Sequence, residues 1–239
     1  MTDDTPVSIE VTIGAPVATV WQWLRDRERI GRWHGWLVDG LDEEIEYIYF
    51  EHAKESDQPY TLDLDNGDRF TLTDDGGATT LRITRAPLGS DPEWDAYYDD
   101  ITEGWLSFVQ QLRFAIEQQP TRPRRTVFLA TDEAGPRPQD VLGIGEPQPG
   151  DRVELASAPT PVAGEAWFAG QRQIGVTVDE LGPGLLVMGE RPPLATRPDG
   201  GAMAIVTTYD LDDEQFAAVR EAWSTWWRAT YPAAAEPQS

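Results

Sequence analysis

Cysteine is absent from the 239 residues of this sequence, and histidine occurs only twice. Without cysteine the chain has no disulfide, no thiolate nucleophile and no Cys-ligated zinc site. The two histidines, His34 and His52, fall in different predicted elements, and neither has a second imidazole three or four residues away. The G-x-S-x-G, P-loop and G-x-G-x-x-G motifs are also missing. We therefore expect no catalytic residue of a recognised nucleophile motif, no metal and no cofactor.

Long hydrophobic runs and positive charge are scarce as well. No stretch of about 18 apolar residues exists, so the sequence predicts no membrane span. The N-terminal M-T-D-D-T-P has no apolar core and does not resemble a signal peptide, which favours a cytoplasmic location. Asp and Glu number 42 against 19 Lys and Arg, giving a formal charge of −23. Such an acidic surface repels nucleic acid, which we do not expect as a partner.

The most informative segment that is present runs from Trp94 to Glu117. Its apolar residues recur at helical spacing and fall on one face: Trp94, Tyr98, Ile101, Trp105, Phe108, Val109, Leu112 and Ile116. A long helix with such a stripe must pack against a large apolar surface.

The residues before this helix are typical of short strands joined by tight turns. Alternation predicts strands at 7–13 and 60–64, a run rich in Ile, Tyr and Phe predicts another at 43–52, and Asn66-Gly67 is a hairpin signal. An amphipathic helix is expected over 17–24. The pattern indicates an antiparallel sheet that packs on one long helix.

The second half has a similar layout after a proline-containing linker at 119–125. Strands are predicted at 126–130, 164–168, 171–178, 185–189 and 202–209, and most of 131–150 is expected to be loop. A Trp-rich helix closes the chain, with Asp210 or Asp212 as its N-cap. We predict two domains, residues 1–119 and residues 120–239.

Three short segments of the first half carry a family resemblance. They read A-P-V-A-T-V-W-Q-W-L at 15–24, I-G-R-W at 30–33 and E-G-W-L-S-F-V-Q-Q-L-R at 103–113. Over residues 6–118 the chain resembles the SRPBCC (START-like, helix-grip) superfamily. The last segment resembles its branch homologous to activators of the heat-shock-protein-90 ATPase, and the superfamily has many bacterial members. The second half is similar to a truncated, diverged copy.

The resemblance implies an α+β helix-grip fold, in which an antiparallel sheet curves around a long C-terminal helix. A second, smaller α+β unit of similar layout is expected to follow. Members of the superfamily commonly bind apolar or amphipathic small molecules in a cavity between sheet and helix, and some are cyclases.

A set of aromatic residues is the candidate lining of such a cavity. These residues are Trp33, Trp36, Tyr47, Tyr49, Phe70, Trp94, Tyr98 and Trp105. Tyr hydroxyls and Trp N–H groups would supply polar contacts, although ordinary core packing explains the same pattern. His34, between two Trp residues, is the best single candidate for proton transfer because its unperturbed pKa lies near neutrality.

Three functions follow from these features. The first is noncatalytic binding of a small apolar or amphipathic ligand, which we favour over an enzyme. The second is a protein-interaction or chaperone-associated module, and the third is a cyclase- or hydratase-like enzyme that uses acid and base groups of the cavity. A protein partner or a homodimer is left open.

Overall fold

The computed structural model describes residues 7–89, 95–160, 162–232 and 234. The chain divides into two compact units, Met1–Gly35 with Asp39–Thr121 and Trp36–Val38 with Arg122–Ser239. Both units combine an antiparallel sheet with a C-terminal helix, which is the α+β class expected from the sequence. Within the described residues, no helix has the length and hydropathy needed to span a bilayer.

The first unit has a five-stranded antiparallel sheet. Its strands are β1 (Ser8–Ile13), β2 (Lys54–Asp57), β3 (Tyr60–Asp63), β4 (Arg69–Asp75) and β5 (Ala78–Thr84). Their order across the sheet is β1-β5-β4-β3-β2, so the first strand pairs with the last. Alternate residues of β1, Ile9, Val11 and Ile13, are buried, as the period of two in the sequence predicts.

The helices of the first unit lie in two places along the chain, between β1 and β2 and after β5. They are α1 (Val17–Arg25), α2 (Arg27–Ile30), α3 (Leu41–Glu46), a π-helix (Tyr47–Glu51) and α4 (Tyr98–Gln118). The long helix α4 packs against β1. Its buried residues include Trp105, Val109, Leu112 and Ile116, which confirms the apolar stripe over the described part of the helix. Trp94 lies outside the described residues.

The predicted strand at 43–52 is wrong, because this segment is helical. Gly40, with φ of 90°, leads into α3, and the π-helix follows without a break. Leu41, Ile45 and Tyr49 are buried at four-residue intervals, so helical spacing places all three on the inner face. The β-branched and aromatic residues of this run favour strands only weakly, and packing decides the outcome.

The second unit has a six-stranded antiparallel sheet and its own helices. The strands are β6 (Arg124–Thr131), β7 (Arg152–Leu155), β8 (Val162–Ala169), β9 (Gln173–Val178), β10 (Gly184–Arg191) and β11 (Gly201–Tyr209). The helical segments are α5 (Pro138–Val141), a 3₁₀ turn (Asp179–Leu181) and α6 (Asp213–Thr230). Strand β7, with only two apolar residues, was missed by the sequence analysis.

Both sheets follow the same connectivity. In the second unit the order is β6-β11-β10-β9-β8-β7, so again the first strand pairs with the last and the others follow in reverse. A helix closes each unit after its last strand. The second sheet therefore repeats the first layout with one more strand, and only the four-residue α5 lies between its first two strands. Residues Arg124 and Arg125 of the predicted linker open β6.

The core of the second unit lies between its sheet and α6. One buried cluster contains residues of both elements: Val127, Leu129, Leu186, Met188 and Val206 of the sheet, and Phe216, Trp223 and Trp227 of α6. The helix begins with a capping box, in which Asp212 accepts from the Gln215 backbone N–H at 2.8 Å and the Gln215 side chain accepts from the Asp212 N–H. Of the two candidate caps, the structure selects Asp212.

Removing this cap tests how much it stabilises α6. We expect Asp212→Ala to lower the free energy of unfolding by about 1 kcal/mol, because an N-terminal N–H group loses its acceptor. Urea denaturation followed by circular dichroism measures the change. Asp213→Ala is the matched control, since it removes an equal charge from the same turn and only an exposed ion pair with Arg125. Equal losses in both variants would contradict the capping role.

Candidate functional site

Four of the eight aromatic residues predicted to line a pocket form one buried cluster in the first unit. Trp33, Tyr49, Phe70 and Trp105 all have exposed fractions of 4% or less. The Trp105 ring centroid lies 5.1 Å from that of Phe70 and 6.5 Å from that of Tyr49, and both pairs are edge-to-face. Trp33 contacts Tyr49 at 5.8 Å in the same manner. These rings contact one another directly, so each belongs to the core as well as to the candidate site.

The other predicted lining residues do not join this cluster. Tyr98 is half-buried at the start of α4, where the Arg85 guanidinium lies 4.4 Å from its ring centroid. Tyr47 is 47% exposed. Trp36 belongs to the second unit, where it stacks on Phe128 at 3.6 Å. Trp94 lies outside the described residues, so its predicted role stays a prediction.

His34 lies beside the cluster and is hydrogen-bonded through both ring nitrogens. Its Nδ1 is 2.9 Å from the Tyr49 hydroxyl, and its Nε2 is 3.2 Å from Glu44 Oε1. We refer to these three residues as the Glu44–His34–Tyr49 chain. The imidazole itself is 2% exposed, and the Phe108 ring lies 4.9 Å from it. The sequence indicates His34 as a candidate for proton transfer, but it does not indicate Glu44 or Tyr49 as its partners.

Local structure explains how the three residues meet. His34 follows α2, and its backbone N–H donates to the Ile30 carbonyl at 2.9 Å. Glu44 projects from α3, and Tyr49 lies five residues later in the π-helix. A π-helix is rare and occurs mostly as a single turn, often at functional sites. Here it carries the tyrosine whose hydroxyl reaches the imidazole, while Arg25 Nη1 donates to the Tyr49 carbonyl at 2.5 Å.

The protonation states follow from the partners and the burial. Burial raises the pKa of Tyr49 well above its ordinary value, so its phenol is neutral. The hydrogen bond with His34 lowers the pKa of Glu44, so its carboxylate is ionised near neutral pH. An ionised carboxylate only accepts, which assigns the proton to Nε2 of His34 and leaves Nδ1 to accept from Tyr49. The Glu44 side chain is 52% exposed, so the chain connects solvent with a buried phenol.

A buried carboxylate, Asp68, also contacts Trp105. Its Oδ1 accepts from Arg85 Nε and the Ala86 N–H, each at 2.9 Å. Its Oδ2 accepts from Trp105 Nε1 at 2.9 Å and from Asn66 Nδ2 at 3.1 Å. The sequence predicts only a hairpin turn in this segment, and a turn is present, since Gly67 has φ of 83°. No spacing in the sequence indicated that the last turn residue would be buried against α4.

No group of three or more His, Cys, Asp or Glu side chains in the described part of the chain is arranged to hold an ion. The polar groups that do converge are the Glu44–His34–Tyr49 chain and the Asp68 carboxylate, and each is occupied by protein partners. The arrangement suits hydrogen bonding and proton transfer between organic groups.

Comparison with known proteins gives distant structural neighbours. No family model matches the sequence, and no curated protein matches it. Among solved structures, DynU16, a protein of the dynemicin biosynthetic locus, is 16% identical and has a TM-score of 0.30, with 97% of each chain covered.

Two further neighbours are described as di-domain ARO/CYC proteins. StfQ from the steffimycin pathway is 12% identical with a TM-score of 0.34, over 95% of this chain and 98% of that one. BexL from the BE-7585A pathway is 12% identical with a TM-score of 0.35, over 94% and 95%. These values carry nothing about ligand or reaction, and membership of the heat-shock ATPase activator branch stays a prediction.

The hydroxyl of Tyr49 can be removed without changing the ring. We expect Tyr49→Phe to lower the free energy of unfolding by about 1–3 kcal/mol, because His34 Nδ1 loses a buried donor. Urea denaturation measures the loss. Tyr47→Phe removes the exposed hydroxyl two residues earlier in the same π-helix, and we expect a change within about 0.5 kcal/mol. Two equally small effects would show that the Tyr49–His34 hydrogen bond contributes little.

The lowered pKa of Glu44 predicts a pH dependence of stability. Because the folded pKa lies below the ordinary value of 4.5, the unfolded chain binds this proton more readily. The stabilisation is fully present above the ordinary value and is lost as pH falls through the folded pKa. The difference in unfolding free energy between wild type and Glu44→Gln should therefore shrink below that pH. The neighbouring exposed Glu43→Gln serves as control, and an identical profile for both variants would contradict the assignment.

Proposed function

We propose that the first unit binds a small apolar or amphipathic molecule at the aromatic cluster of Trp33, Tyr49, Phe70 and Trp105, with the Tyr49 hydroxyl as its polar contact. The observation that supports this proposal is a neutral phenol hydrogen-bonded to an imidazole and surrounded by aromatic rings. Small-molecule sites typically combine apolar and aromatic walls with a few convergent polar groups. The Tyr49–His34 pair supplies such groups inside an otherwise apolar environment.

The approach to this pair follows the face of α4 that carries Phe108. Phe108 is half-buried, and its ring centroid lies 4.9 Å from that of the His34 imidazole. Gly104, one turn earlier, is also half-buried, and an added methyl group there would meet only the Phe108 ring, at 3.8 Å. In the proposal, the Phe108 side chain moves to admit the ligand and the missing side chain at position 104 leaves room for it.

One substitution tests whether Gly104 leaves room for a ligand or is only a glycine that the helix tolerates. We expect Gly104→Ala to raise the unfolding free energy by about 0.5–1 kcal/mol, because alanine loses less backbone entropy in a helix. The same variant should bind ligand more weakly, since the methyl group narrows the approach beside Phe108. Thermal unfolding and titration calorimetry measure the two effects. Stabilisation with unchanged affinity would remove Gly104 from the proposed approach.

Ligand binding itself is tested by titrating tryptophan fluorescence with fatty acids, sterols and aromatic polyketides, after native mass spectrometry of the purified protein for a co-purified compound. Trp33 and Trp105 lie in the cluster, so a bound ligand should change their emission. For a ligand with a hydrogen-bonding group, we expect Tyr49→Phe to weaken binding about 2- to 10-fold, the value of one hydrogen bond. Tyr47→Phe should leave the affinity unchanged. If no class of compound binds the wild type, the proposal is wrong.

An enzyme is the second candidate, and the order of groups in the Glu44–His34–Tyr49 chain favours it. This role needs His34 as an imidazolium, formed when it takes a proton from solvent beside Glu44. Its Nδ1–H then donates to the Tyr49 oxygen while the Tyr49 hydroxyl donates to a ligand oxygen, and the phenol regains its proton from Nδ1. The net result is transfer of one proton from solvent to the ligand, as acid catalysis of a cyclisation or hydration requires. Recovery of the bound compound with unchanged mass and connectivity would favour noncatalytic binding, and a product that Tyr49→Phe no longer forms would favour the enzyme.

A further inference from the structure

The Trp105 side chain joins two buried polar groups that are far apart in the sequence. Its indole N–H donates to Asp68 Oδ2 at 2.9 Å. The other parts of its ring face the Glu44–His34–Tyr49 chain, with centroid distances of 6.0 Å to His34 and 6.5 Å to Tyr49. One aromatic ring therefore contacts both a carboxylate near the sheet hairpin and the imidazole and phenol of the candidate site.

The Asp68 carboxylate is held rigidly on its own side. Its side chain is fully buried, and four donors occupy its two oxygens. A carboxylate has about four lone-pair positions, so all are filled. Hydrogen bonds that involve an ionised partner are about twice as strong as neutral ones. The position of Oδ2 is thereby fixed, and the direction of the indole N–H is fixed with it.

Arg85 extends this rigid group to the first turns of α4. Its Nε donates to Asp68, and its Nη1 donates to the Tyr98 carbonyl at 3.1 Å and to the Thr102 hydroxyl at 2.5 Å. The helix segment that carries Trp105 is thus connected to the same carboxylate through a second route. The backbone position and the ring orientation of Trp105 both depend on Asp68.

We infer that Asp68 is a positioning residue of the candidate site, which sets the orientation of the Trp105 ring against Tyr49 and His34. Its effect on ligand affinity rests on the proposed function, whereas its effect on the environment of Tyr49 does not. Asp68 bonds to the Trp105 indole, whose ring lies against both His34 and Tyr49, so the route from Asp68 to the site runs through Trp105. The inference assigns a role outside the hairpin to a residue whose sequence context indicates only a turn.

The substitution Asp68→Asn, which replaces one carboxylate oxygen with an N–H₂ group, tests this inference. In Asp68→Asn the amide retains one acceptor oxygen, which the two donors from Arg85 and Ala86 occupy, and turns an N–H₂ group toward the Trp105 indole N–H. The indole then loses its acceptor, and only the packing of the neighbouring rings holds its orientation. Asp63→Asn is the matched control. It removes a carboxylate from the same hairpin, but the partner of this carboxylate, Arg69, is exposed.

Nuclear magnetic resonance reports the indole of Trp105 and the ring of Tyr49 separately. The indole N–H signal of Trp105 is assigned by its loss in Trp105→Phe, and the ring signals of Tyr49 by their loss in Tyr49→Phe. We expect Asp68→Asn to shift both sets of signals, and Asp63→Asn to shift neither. A shift of the Trp105 signal with unchanged Tyr49 signals would overturn the inference, because the effect would then stop at the indole.

A double-mutant cycle measures whether Asp68 acts through Trp105. Asp68→Asn alone should weaken ligand binding about 5- to 10-fold, whereas in the Trp105→Phe background it should change the affinity less than 2-fold. Residues in one hydrogen-bonded network show such non-additivity, and independent sites do not. Additive losses would assign Asp68 a general structural role and overturn the inference.

Two measurements keep the inference testable if Asp68→Asn does not fold or no ligand is found. In the wild type, the Trp105 indole N–H should exchange with deuterated solvent among the slowest side-chain N–H groups, and fast exchange would overturn the inference. Thr102→Val removes one anchor of Arg85 without touching Asp68 or Trp105, and it should shift the Trp105 signal slightly and in the same direction as Asp68→Asn. Failure of every ligand refutes the proposed function, while the Tyr49 signals still decide the inference.

Discussion

The first unit depends on the burial of one face of α4. A helix of 21 residues that carries Trp105, Val109, Leu112 and Ile116 on one side is stable only when that side is removed from water. Burying a large apolar side chain contributes about 1.5–3 kcal/mol, so these four residues outweigh any local preference in the surrounding loops. The sheet supplies one apolar surface for the helix, and the short helices and the π-helix supply aromatic residues beside it.

Burial of that face also determines what the polar groups beside it must do. A polar group that loses water without gaining a partner costs about 1–3 kcal/mol, and a charge costs more. The structure meets this cost twice around Trp105, once with the Asp68–Arg85 ion pair and once with the Tyr49–His34 hydrogen bond. The first group is closed on all sides by donors. The second extends through Glu44 toward solvent, and this difference makes it the better candidate for chemistry.

The two units share a strand order, but the candidate site lies in the first unit. The shared strand order indicates one layout that is used twice. The hydrogen-bonded imidazole and phenol of His34 and Tyr49 lie in the core of the first unit. A fold of this kind hosts many functions, so the fold does not indicate a ligand. The aromatic cluster and the Tyr49–His34 pair are what support ligand binding. The aromatic residues around Tyr49 serve as core and as candidate site at once, because a ring that stabilises the fold also offers an apolar wall.

Local periodicity in the sequence determined a large part of the fold. The α4 stripe, the Asn66-Gly67 turn, most strands of the second unit and the cap of α6 each depend on residues within a few positions of one another. The sequence also singled out His34, Tyr49 and Trp105 as candidates. Only the tertiary structure decided that 43–52 is helical, that Trp36 belongs to the second unit, and that Asp68 bonds to Trp105. The Asp68–Trp105 hydrogen bond joins residues 37 positions apart, and the stack of Trp36 on Phe128 joins residues farther apart still. The helix at 43–52 depends on which side of the segment becomes buried. Neither property leaves a periodic signal in the chain.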